Sequence, residues 1–252
     1  MKPFNNKYAK YYDFFNLKKN YKEECLFLKK AFEKYSKLPV KDILDLGSGT
    51  GMHSTNLAEL DYNITGLDLS EDMVEIAKSR NIKNTEFIVG DMSNFKLNKK
   101  FDACICMFAA FGYLTENSQI ESSLKSIKNS LNKNGLFIMD CWNGLGVMHD
   151  LPVSRTVDIE ENGLRIQRKS YPKLESEKHV CEVKFNVKVS KQGKTIDEYE
   201  EVHRMRFIFP QEFRKYLEDS GFEVLKICKT FDLDSSIDEN DWNMVVIARL
   251  KD

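Results

Sequence analysis

The stretch Asp45-Leu46-Gly47-Ser48-Gly49-Thr50-Gly51 directly follows the short apolar run Ile43-Leu44. Two more acids, Asp68 and Asp91, close apolar runs further along, each after about the length of one helix plus one strand. In a doubly wound sheet, glycines in the first strand-to-helix turn let backbone N–H groups approach a ligand. An acid at the tip of the second strand accepts from both ribose hydroxyls. The spacing therefore predicts a nucleoside cofactor site in an α/β fold, with Asp68 as the ribose acceptor.

The positions of the glycines distinguish between cofactors. A dinucleotide fold has the pattern G-x-G-x-x-G, which cradles a pyrophosphate. Here the glycines fall at 47, 49 and 51, and Met52 takes the third place. The stretch resembles instead the first motif of the class I S-adenosylmethionine (SAM) methyltransferases, D/E-x-G-x-G-x-G. The resemblance implies SAM as the cofactor, with Asp45 meeting its ammonium group directly or through water; the alternative is a glycine turn that merely reverses the chain.

The resemblance also implies a set of cofactor-binding residues. Asp91 is expected near the adenine amino group. Met92 and Met107 are expected against the adenine or the methionine arm, although both methionines fit an ordinary core equally well. The full predicted set is Asp45, Gly47, Gly49, Gly51, Asp68, Leu69, Met73, Asp91, Met92 and Met107.

The composition is that of a globular enzyme. The chain has 252 residues, 42% of them hydrophobic, and a net charge of −1, which gives no indication of a nucleic-acid partner. The six cysteines include no C-x-x-C pair and are expected to be small core residues in a reducing cytosol, without a disulfide or a metal site. No signal peptide or membrane-length apolar run is apparent, so a cytoplasmic location without a membrane partner is predicted.

Strand and helix patterns alternate regularly up to about residue 145. The alternation predicts an α/β fold with a doubly wound, mostly parallel seven-stranded sheet of the Rossmann-like kind and ligands at the carboxyl ends of its strands. The predicted strands are 43–46, 63–69, 86–89, 101–107, 136–141, 222–228 and 243–250, and the predicted helices are 21–37, 53–60, 71–80, 120–131 and 212–220. Asn134-Gly135 is expected to end the helix 120–131.

The pattern changes near residue 150. Two-residue alternation between Val153 and Phe209, with turn sequences at 161–163 and 191–193, predicts antiparallel strands inserted between the fifth and sixth strands of the main sheet. We therefore divide the chain into residues 1–149 (N-terminal helices and the SAM-binding half), 150–209 (an antiparallel β platform for the substrate) and 210–252 (the last helix and two strands). The platform is expected to roof the cofactor; the alternative is a surface for a dimer.

Nearly the whole chain resembles the bacterial sugar N,N-dimethyltransferases that complete dimethylamino deoxysugars carried on dTDP. The segments that carry this resemblance are Tyr11-Tyr12-Asp13-Phe14-Phe15 followed by Tyr21, Met107 to Leu114, Glu182 to Val187, and Val202 to Phe207. Two segments differ from that family. Its basic, glycine-rich run after the first helix is here Leu17-Lys18-Lys19-Asn20, and its Ser-Gly-Arg-Gly-type run is here Asp238 to Trp242, which removes an arginine expected at the diphosphate.

Methyl transfer from a sulfonium is an in-line displacement, which depends mainly on positioning a neutral amine and excluding water. By resemblance, Tyr12 and Tyr113 line the methyl path and orient the amine or the sugar. His203 is the best candidate to take the proton that a substrate ammonium must lose. Ordinary alternatives are amphipathic packing for the tyrosines and a structural histidine on a platform strand for His203.

Four more residues are candidate substrate ligands. Trp142 and Asn143 end strand five, where such folds reach the substrate, and the indole either stacks on a sugar or base or fills the sheet edge. Tyr21 belongs to the resembling N-terminal segment, and Arg204 is a candidate phosphate ligand, although basic residues often lie on solvated faces.

The predicted function is therefore SAM-dependent methylation of the amino group of a nucleotide-linked deoxyaminosugar, with this small molecule as the partner. Two alternatives stay open. One is a SAM-dependent enzyme acting on another small molecule or on an RNA base, and the other is a non-catalytic SAM-binding protein. A homodimer is a candidate assembly.

Overall fold

A computed structural model describes residues 6–252. Its helices are α1 (Asn6–Phe15), α2 (Tyr21–Tyr35), α3 (Met52–Ala58), α4 (Glu71–Ser79), α5 (Asn117–Ser130), α6 (Gly144–His149) and α7 (Pro210–Asp219). Its strands are β1 (Asp42–Leu46), β2 (Asn63–Asp68), β3 (Thr85–Val89), β4 (Phe101–Cys106), β5 (Leu131–Trp142), β6 (Arg155–Glu161), β7 (Leu164–Glu175), β8 (Val180–Lys191), β9 (Lys194–Arg206), β10 (Phe222–Lys229) and β11 (Asn243–Leu250). Short 3₁₀ turns lie at Ala110–Tyr113 and Ser176–Lys178.

The main sheet has seven strands in the order β10-β11-β5-β4-β1-β2-β3. Strands β3, β2, β1, β4 and β5 run parallel, and β11 is antiparallel to both β5 and β10. Apolar clusters cover both faces: one contains Leu124, Phe137 and Phe213, and the other contains Leu28 and Ile138. The predicted Rossmann-like, doubly wound and mostly parallel sheet is therefore confirmed.

The second sheet has four antiparallel strands in the order β6-β7-β8-β9. It enters the chain between β5 and β10, the fifth and sixth strands of the main sheet, as predicted. One face packs on α1 through a cluster that contains Tyr11, Ile166 and Val187. We call this sheet the platform and this face its inward face. The use of residues 150–209 as a substrate unit stays a prediction, and the first five residues of the predicted segment 1–149 lie outside the described residues.

Helix starts follow local capping chemistry. Ser70 caps α4 because its Oγ accepts from the Met73 N–H at 3.3 Å, with Glu71 and Asp72 in the first turn, as the sequence predicted. Pro210 occupies the start of α7, where its missing N–H costs nothing.

Two local features differ from the prediction. The helix predicted for 120–131 ends at Ser130, close to its predicted end, but Asn134-Gly135 does not end it, because Leu131 pairs with Phe101 and the chain is extended from there. Helix α6 was not expected from its glycine-rich sequence. It forms because Asn143 Oδ1 accepts from the Leu145 N–H at 3.1 Å and because Gly146 allows close approach, since a Cβ there would lie 2.2 Å from the Asp241 carbonyl oxygen.

Within residues 6–252, no helix is long and apolar enough to cross a membrane.

Candidate active site

The glycine turn lies at the carboxyl edge of the main sheet, between β1 and α3. Gly47, Gly49 and Gly51 have φ angles of 67°, 53° and 77°, a region that residues with a Cβ adopt only under strain. The space above Gly49 is open, because the nearest atom to a Cβ built there is Tyr12 Cε1 at 3.9 Å. The turn therefore exposes backbone to a ligand beside the Tyr12 ring.

Asp68 ties the glycine turn to the end of β2. Its Oδ2 accepts from the Gly49 N–H at 2.8 Å, and its Oδ1 accepts from the Ser70 N–H at 2.9 Å. Burial raises the pKa of Asp68, and these backbone hydrogen bonds oppose the rise. Each carboxylate oxygen keeps a second lone pair, so the group is oriented to accept from two vicinal hydroxyls.

Asp45 lies behind the turn and is only 2% exposed. The Ser54 hydroxyl donates to its Oδ2 at 2.6 Å, and burial raises the pKa of Asp45 to about 6. This carboxyl group contacts α3 rather than open space, so contact with a cofactor ammonium stays a prediction.

A buried polar cluster lies next to Asp45, where α2 meets α3. Glu24 accepts from Lys19 and lies 2.7 Å from His53 Nε2. Burial acts to raise the pKa of Glu24, but the hydrogen bonds from His53 and Lys19 outweigh it, so the pKa stays below its ordinary value. Tyr21 packs edge-on against His53 at 5.0 Å between ring centroids, and the Lys19 Nζ lies 5.2 Å from the Tyr21 ring. Tyr21 is therefore placed with this cluster.

The other predicted cofactor residues fall into two groups. Met92 adjoins the turn, since its Cε would lie 3.6 Å from a Cβ at Gly47, and Leu69 and Asp91 are exposed at the same edge. Met73 and Met107 are buried at 1% and 3% exposure, and Met107 belongs to the apolar cluster beneath α2. The geometry of Met107 favours the ordinary-core alternative.

Tyr113 and His203 meet directly, although they are 90 residues apart. The Tyr113 hydroxyl lies 2.6 Å from His203 Nδ1. The His203 ring also contacts Tyr8 and Phe185, with centroid distances of 5.1 and 5.2 Å, and Tyr8 contacts Tyr12 at 6.2 Å. The structure thus brings together the three residues predicted for catalysis, on the side of the glycine turn where Tyr12 lies.

Burial determines the charge of this pair. It lowers the pKa of His203 to about 4, assisted by the positive charge of Arg168, and it raises the pKa of Tyr113 well above its ordinary value. At neutral pH the imidazole is therefore uncharged and the phenol keeps its proton. On the far side of the ring, Nε2 lies 3.8 Å from the Oε1 of Glu201, which is 1% exposed.

The exit of β4 is a strained turn that carries Tyr113. Phe108 and Ala109 both have positive φ, at 62° and 56°, which costs about 1–2 kcal/mol per residue. Both carboxylate oxygens of the buried Asp140, at the end of β5, accept from the Ala109 N–H at 3.2 Å and hold the turn. Burial raises the pKa of Asp140 to about 6.

Three predicted substrate residues are not brought to the pair. Arg204 is 43% exposed in its side chain and bonds Glu175 and Glu182 at 2.8 and 3.0 Å on the outward face of the platform, because successive strand residues point to opposite faces. Asn143 is fully buried, and its amide donates to the carbonyls of Asp238 and Asp241. Its predicted role as a substrate ligand is corrected to a structural one. Trp142 packs against Trp242 at 5.4 Å, which matches the edge-filling alternative.

Sequence reasoning missed Asp140, Glu201 and Arg168. Asp140 follows the apolar run Leu136 to Met139, as Asp45 and Asp68 follow theirs, so the same signal was present. Glu201 is two residues from His203, and Arg168 is two residues from the buried Ile166, so alternation places each on the inward face. Their partners lie in distant segments, such as Ala109 after β4 for Asp140 and Tyr8 on α1 for Arg168, and the sequence carries no signal for these contacts.

The segment that carries the glycine turn is similar to a known protein family. Residues 43–135, from β1 through the glycine turn into β5, match the family model described as "Methyltransferase domain". This segment is therefore similar to methyltransferase domains. It contains the glycine turn, Asp68 and Tyr113, while His203 and the platform lie outside it.

Curated relatives extend the similarity along the chain. It is 27% identical to dTDP-3-amino-3,6-dideoxy-alpha-D-glucopyranose N,N-dimethyltransferase of Streptomyces fradiae, over 82% of this chain and 79% of that protein. It is 28% identical to dTDP-3-amino-3,4,6-trideoxy-alpha-D-glucopyranose N,N-dimethyltransferase of Streptomyces venezuelae, over 72% of this chain and 75% of that protein. The resemblance to sugar N,N-dimethyltransferases that the sequence indicated is confirmed.

A solved structure shares the fold. An S-adenosylmethionine-dependent methyltransferase from Clostridium acetobutylicum superposes with a TM-score of 0.83 at 20% identity, covering 98% of this chain and 99% of that one. The platform is therefore part of the fold that the two chains share, and the predicted class I architecture is confirmed.

Proposed function

We propose that this methyltransferase transfers a methyl group from SAM to the amino group of a nucleotide-linked deoxyaminosugar. The observation that carries the proposal is the Tyr113–His203 hydrogen bond of 2.6 Å, held beside Tyr8 and Tyr12 over the glycine turn. A tyrosine-lined site beside a nucleoside site suits an amine acceptor. The two dTDP-aminosugar N,N-dimethyltransferases among the relatives support the choice of substrate class.

The residues of the turn fit SAM as the cofactor. Gly49 leaves open space beside Tyr12, and Asp68 is oriented by two backbone N–H groups toward hydroxyl donors. When bound, SAM supplies an electrophilic methyl group on a positively charged sulfur. The carboxyl groups at this edge, the buried Asp45 and Asp140 and the partly buried Asp68, favour a cationic ligand when they are ionised.

Tyr113 is proposed to orient the amine. Because His203 is neutral, its Nδ1 can accept the Tyr113 proton, which leaves the ring proton on Nε2, facing the Glu201 carboxylate. A lone pair facing that carboxylate would be repelled, so this tautomer is favoured. The Tyr113 oxygen, whose own proton is committed to His203, then presents lone pairs to an N–H of the substrate amine and aligns the amine lone pair.

His203 is proposed to act as a positioning residue. A histidine with a pKa of about 4 is a far weaker base than an alkylamine, so at neutral pH it does not hold a proton taken from a substrate ammonium. The ammonium loses its proton to solvent before the amine is seated. Tyr8, Phe185 and the platform then exclude water from the site.

The substrate class is tested by incubating the purified protein with SAM and dTDP-3-amino-3,6-dideoxy-α-D-glucopyranose. We expect a mass gain of one or two methyl groups in the sugar nucleotide, detected by mass spectrometry. Parallel reactions contain glycine, a short-chain carboxylic acid or tRNA. Methylation of one of these alone would support the alternative substrates, and SAM binding without any turnover would support a non-catalytic protein.

Replacement of His203 separates positioning from base catalysis. Asn at 203 keeps an oxygen acceptor for the Tyr113 proton, so we expect His203→Asn to lower kcat by less than about 10-fold, whereas loss of an essential general base costs about 100-fold or more. Because His203 titrates near pH 4, between pH 6 and 9 the rate should rise with deprotonation of the substrate amine, with the same midpoint in both proteins. The measurement is kcat against pH.

His203→Leu is the matched control, because it removes the acceptor but keeps an apolar side chain. It should be slower than His203→Asn. If His203→Asn binds both ligands but is inactive at every pH, positioning is the wrong role and His203 is the base.

A cytoplasmic location and a homodimer remain part of the proposal. All six cysteines are buried free thiols, which supports a reducing compartment.

A further inference from the structure

Arg168 lies on the inward face of the platform, on β7. Its guanidinium carbon lies 4.9 Å from the Phe15 ring centroid and 4.8 Å from the Phe185 ring centroid, so the group is held between a helix and a sheet. Its Nη1 donates to the Tyr8 hydroxyl at 3.1 Å. The side chain is half-buried and lies against two aromatic rings, unlike an arginine extended into solvent.

Arg168 forms no ion pair with a carboxylate of residues 6–252. Three other arginines of the platform are paired: Arg165 with Asp158, Arg204 with Glu175 and Glu182, and Arg206 with Glu212. Arg155, at the exposed start of β6, forms no ion pair within residues 6–252. Within residues 6–252, no carboxylate lies within ion-pair distance of Arg168, and the Tyr8 oxygen is its one hydrogen-bond acceptor. Four of the five guanidinium N–H groups thus have no acceptor in this part of the chain. A partly desolvated guanidinium with unused N–H donors can bind an anion that does not belong to the chain.

Arg168 is one aromatic ring away from the proposed amine site. Phe185 contacts both groups: its ring centroid is 4.8 Å from the guanidinium carbon and 5.2 Å from the His203 ring. Tyr8 makes a second connection, because its hydroxyl accepts from Arg168 and its ring lies 5.1 Å from His203. A sugar whose amine is at Tyr113 therefore has its other end within reach of Arg168.

We propose that Arg168 binds the diphosphate of the sugar nucleotide. The planar guanidinium presents parallel N–H groups that match phosphate oxygens in a bidentate geometry. Two other positions do not supply this role: the segment 238–242 has no arginine, and Arg204 is committed to two glutamates on the other face of the platform. The inference rests on the proposed function for the identity of the ligand, and its direct test requires no methyl transfer.

The direct test is calorimetric titration with dTDP, which carries the diphosphate but no amine. We expect Arg168→Met to weaken dTDP binding by at least about 10-fold, because a charge-assisted hydrogen bond is worth that much or more. Arg168→Lys keeps the charge but loses the bidentate geometry. Its affinity for dTDP should lie between that of the unmodified protein and that of Arg168→Met. Arg204→Met, on the outward face, is the matched control and should bind dTDP like the unmodified protein.

A kinetic test separates binding from packing. With dTDP-3-amino-3,6-dideoxy-α-D-glucopyranose, Arg168→Met should raise KM at least about 10-fold and leave kcat within about threefold. With the methyl glycoside of the same amino sugar, which has no diphosphate, KM should not change. SAM affinity serves as the check that each variant is folded. If Arg168→Met does not fold, Arg168→Lys takes its place in the kinetic test.

The outcomes distinguish the two proposals. If the unmodified protein binds dTDP through Arg168 but methylates no aminosugar nucleotide, the diphosphate site stands and the proposed acceptor fails. If the unmodified protein does not bind dTDP, or if Arg168→Met binds it equally well, the Arg168 inference is overturned. It is also overturned if Arg168→Met raises KM for both sugars alike, since Arg168 would then only support Phe15 and Phe185.

Discussion

Asp68→Ala is expected to weaken SAM binding by about 10- to 100-fold. The variant removes the acceptor of the Gly49 and Ser70 N–H groups and the acceptor proposed for two ribose hydroxyls. Leaving one buried donor unsatisfied costs about 1–3 kcal/mol, and each 1.4 kcal/mol is about a factor of 10 in affinity. Calorimetric titration with SAM measures the loss.

Asp42→Ala is the matched control for Asp68→Ala. Asp42 begins β1 at the opposite edge of the sheet and pairs with Lys99 at 2.6 Å, so its loss should leave SAM affinity unchanged. Unchanged affinity in Asp68→Ala would contradict the assignment of Asp68 to the ribose.

Gly47→Ala is expected to lose both stability and SAM binding. A Cβ at Gly47 would lie 2.7 Å from the Cβ of Ala110, and φ at Gly47 is 67°. The left-handed backbone costs about 1–2 kcal/mol and overpacking about 1–3 kcal/mol, so the free energy of unfolding should fall by about 2–5 kcal/mol. Urea unfolding measures the stability, and calorimetry measures the affinity for SAM.

Two further variants divide this loss into its parts. Gly47→Ala combined with Ala110→Gly removes the clash but keeps the backbone strain, so it should recover the overpacking share. Gly163→Ala, in a hairpin turn with φ of 75° and no atom within 4 Å, carries strain alone and should leave SAM affinity intact. If adding Ala110→Gly to Gly47→Ala recovers no stability, the contact between the glycine turn and the exit of β4 is not the cause of the loss.

The contact between Gly47 and Ala110 links two motifs that the sequence shows separately. The glycine turn and the Met107 to Leu114 segment were each recognised from their residues. Their close approach follows from the parallel pairing of β1 with β4, which brings both strand ends to one edge. The turn proposed to hold SAM therefore also supports the segment that carries Tyr113.

Local chemistry made much of this fold predictable. Positive φ at Gly47, Gly49 and Gly51 is a property of glycine itself, and the cap at Ser70 lies within one turn of its partner. Alternation of apolar residues predicted the parallel sheet and the antiparallel insertion, because period and strand length are both encoded along the chain. The predicted stop signal Asn134-Gly135 shows the limit, since pairing of Leu131 with a distant strand places these two residues inside a strand instead.

Thus the sequence by itself determined the fold class, the glycine turn with Asp68 and the three residues predicted for catalysis. Tertiary structure decided which of them meet and which face of the platform is inward. Alternation along a strand defines two faces, but only the packing of α1 decides that His203 and Arg168 point inward and Arg204 outward. The physical reason is that the charge and role of a polar side chain depend on burial and on partners from distant strands, as for His203 beside Tyr113 and Asn143 beneath Asp241.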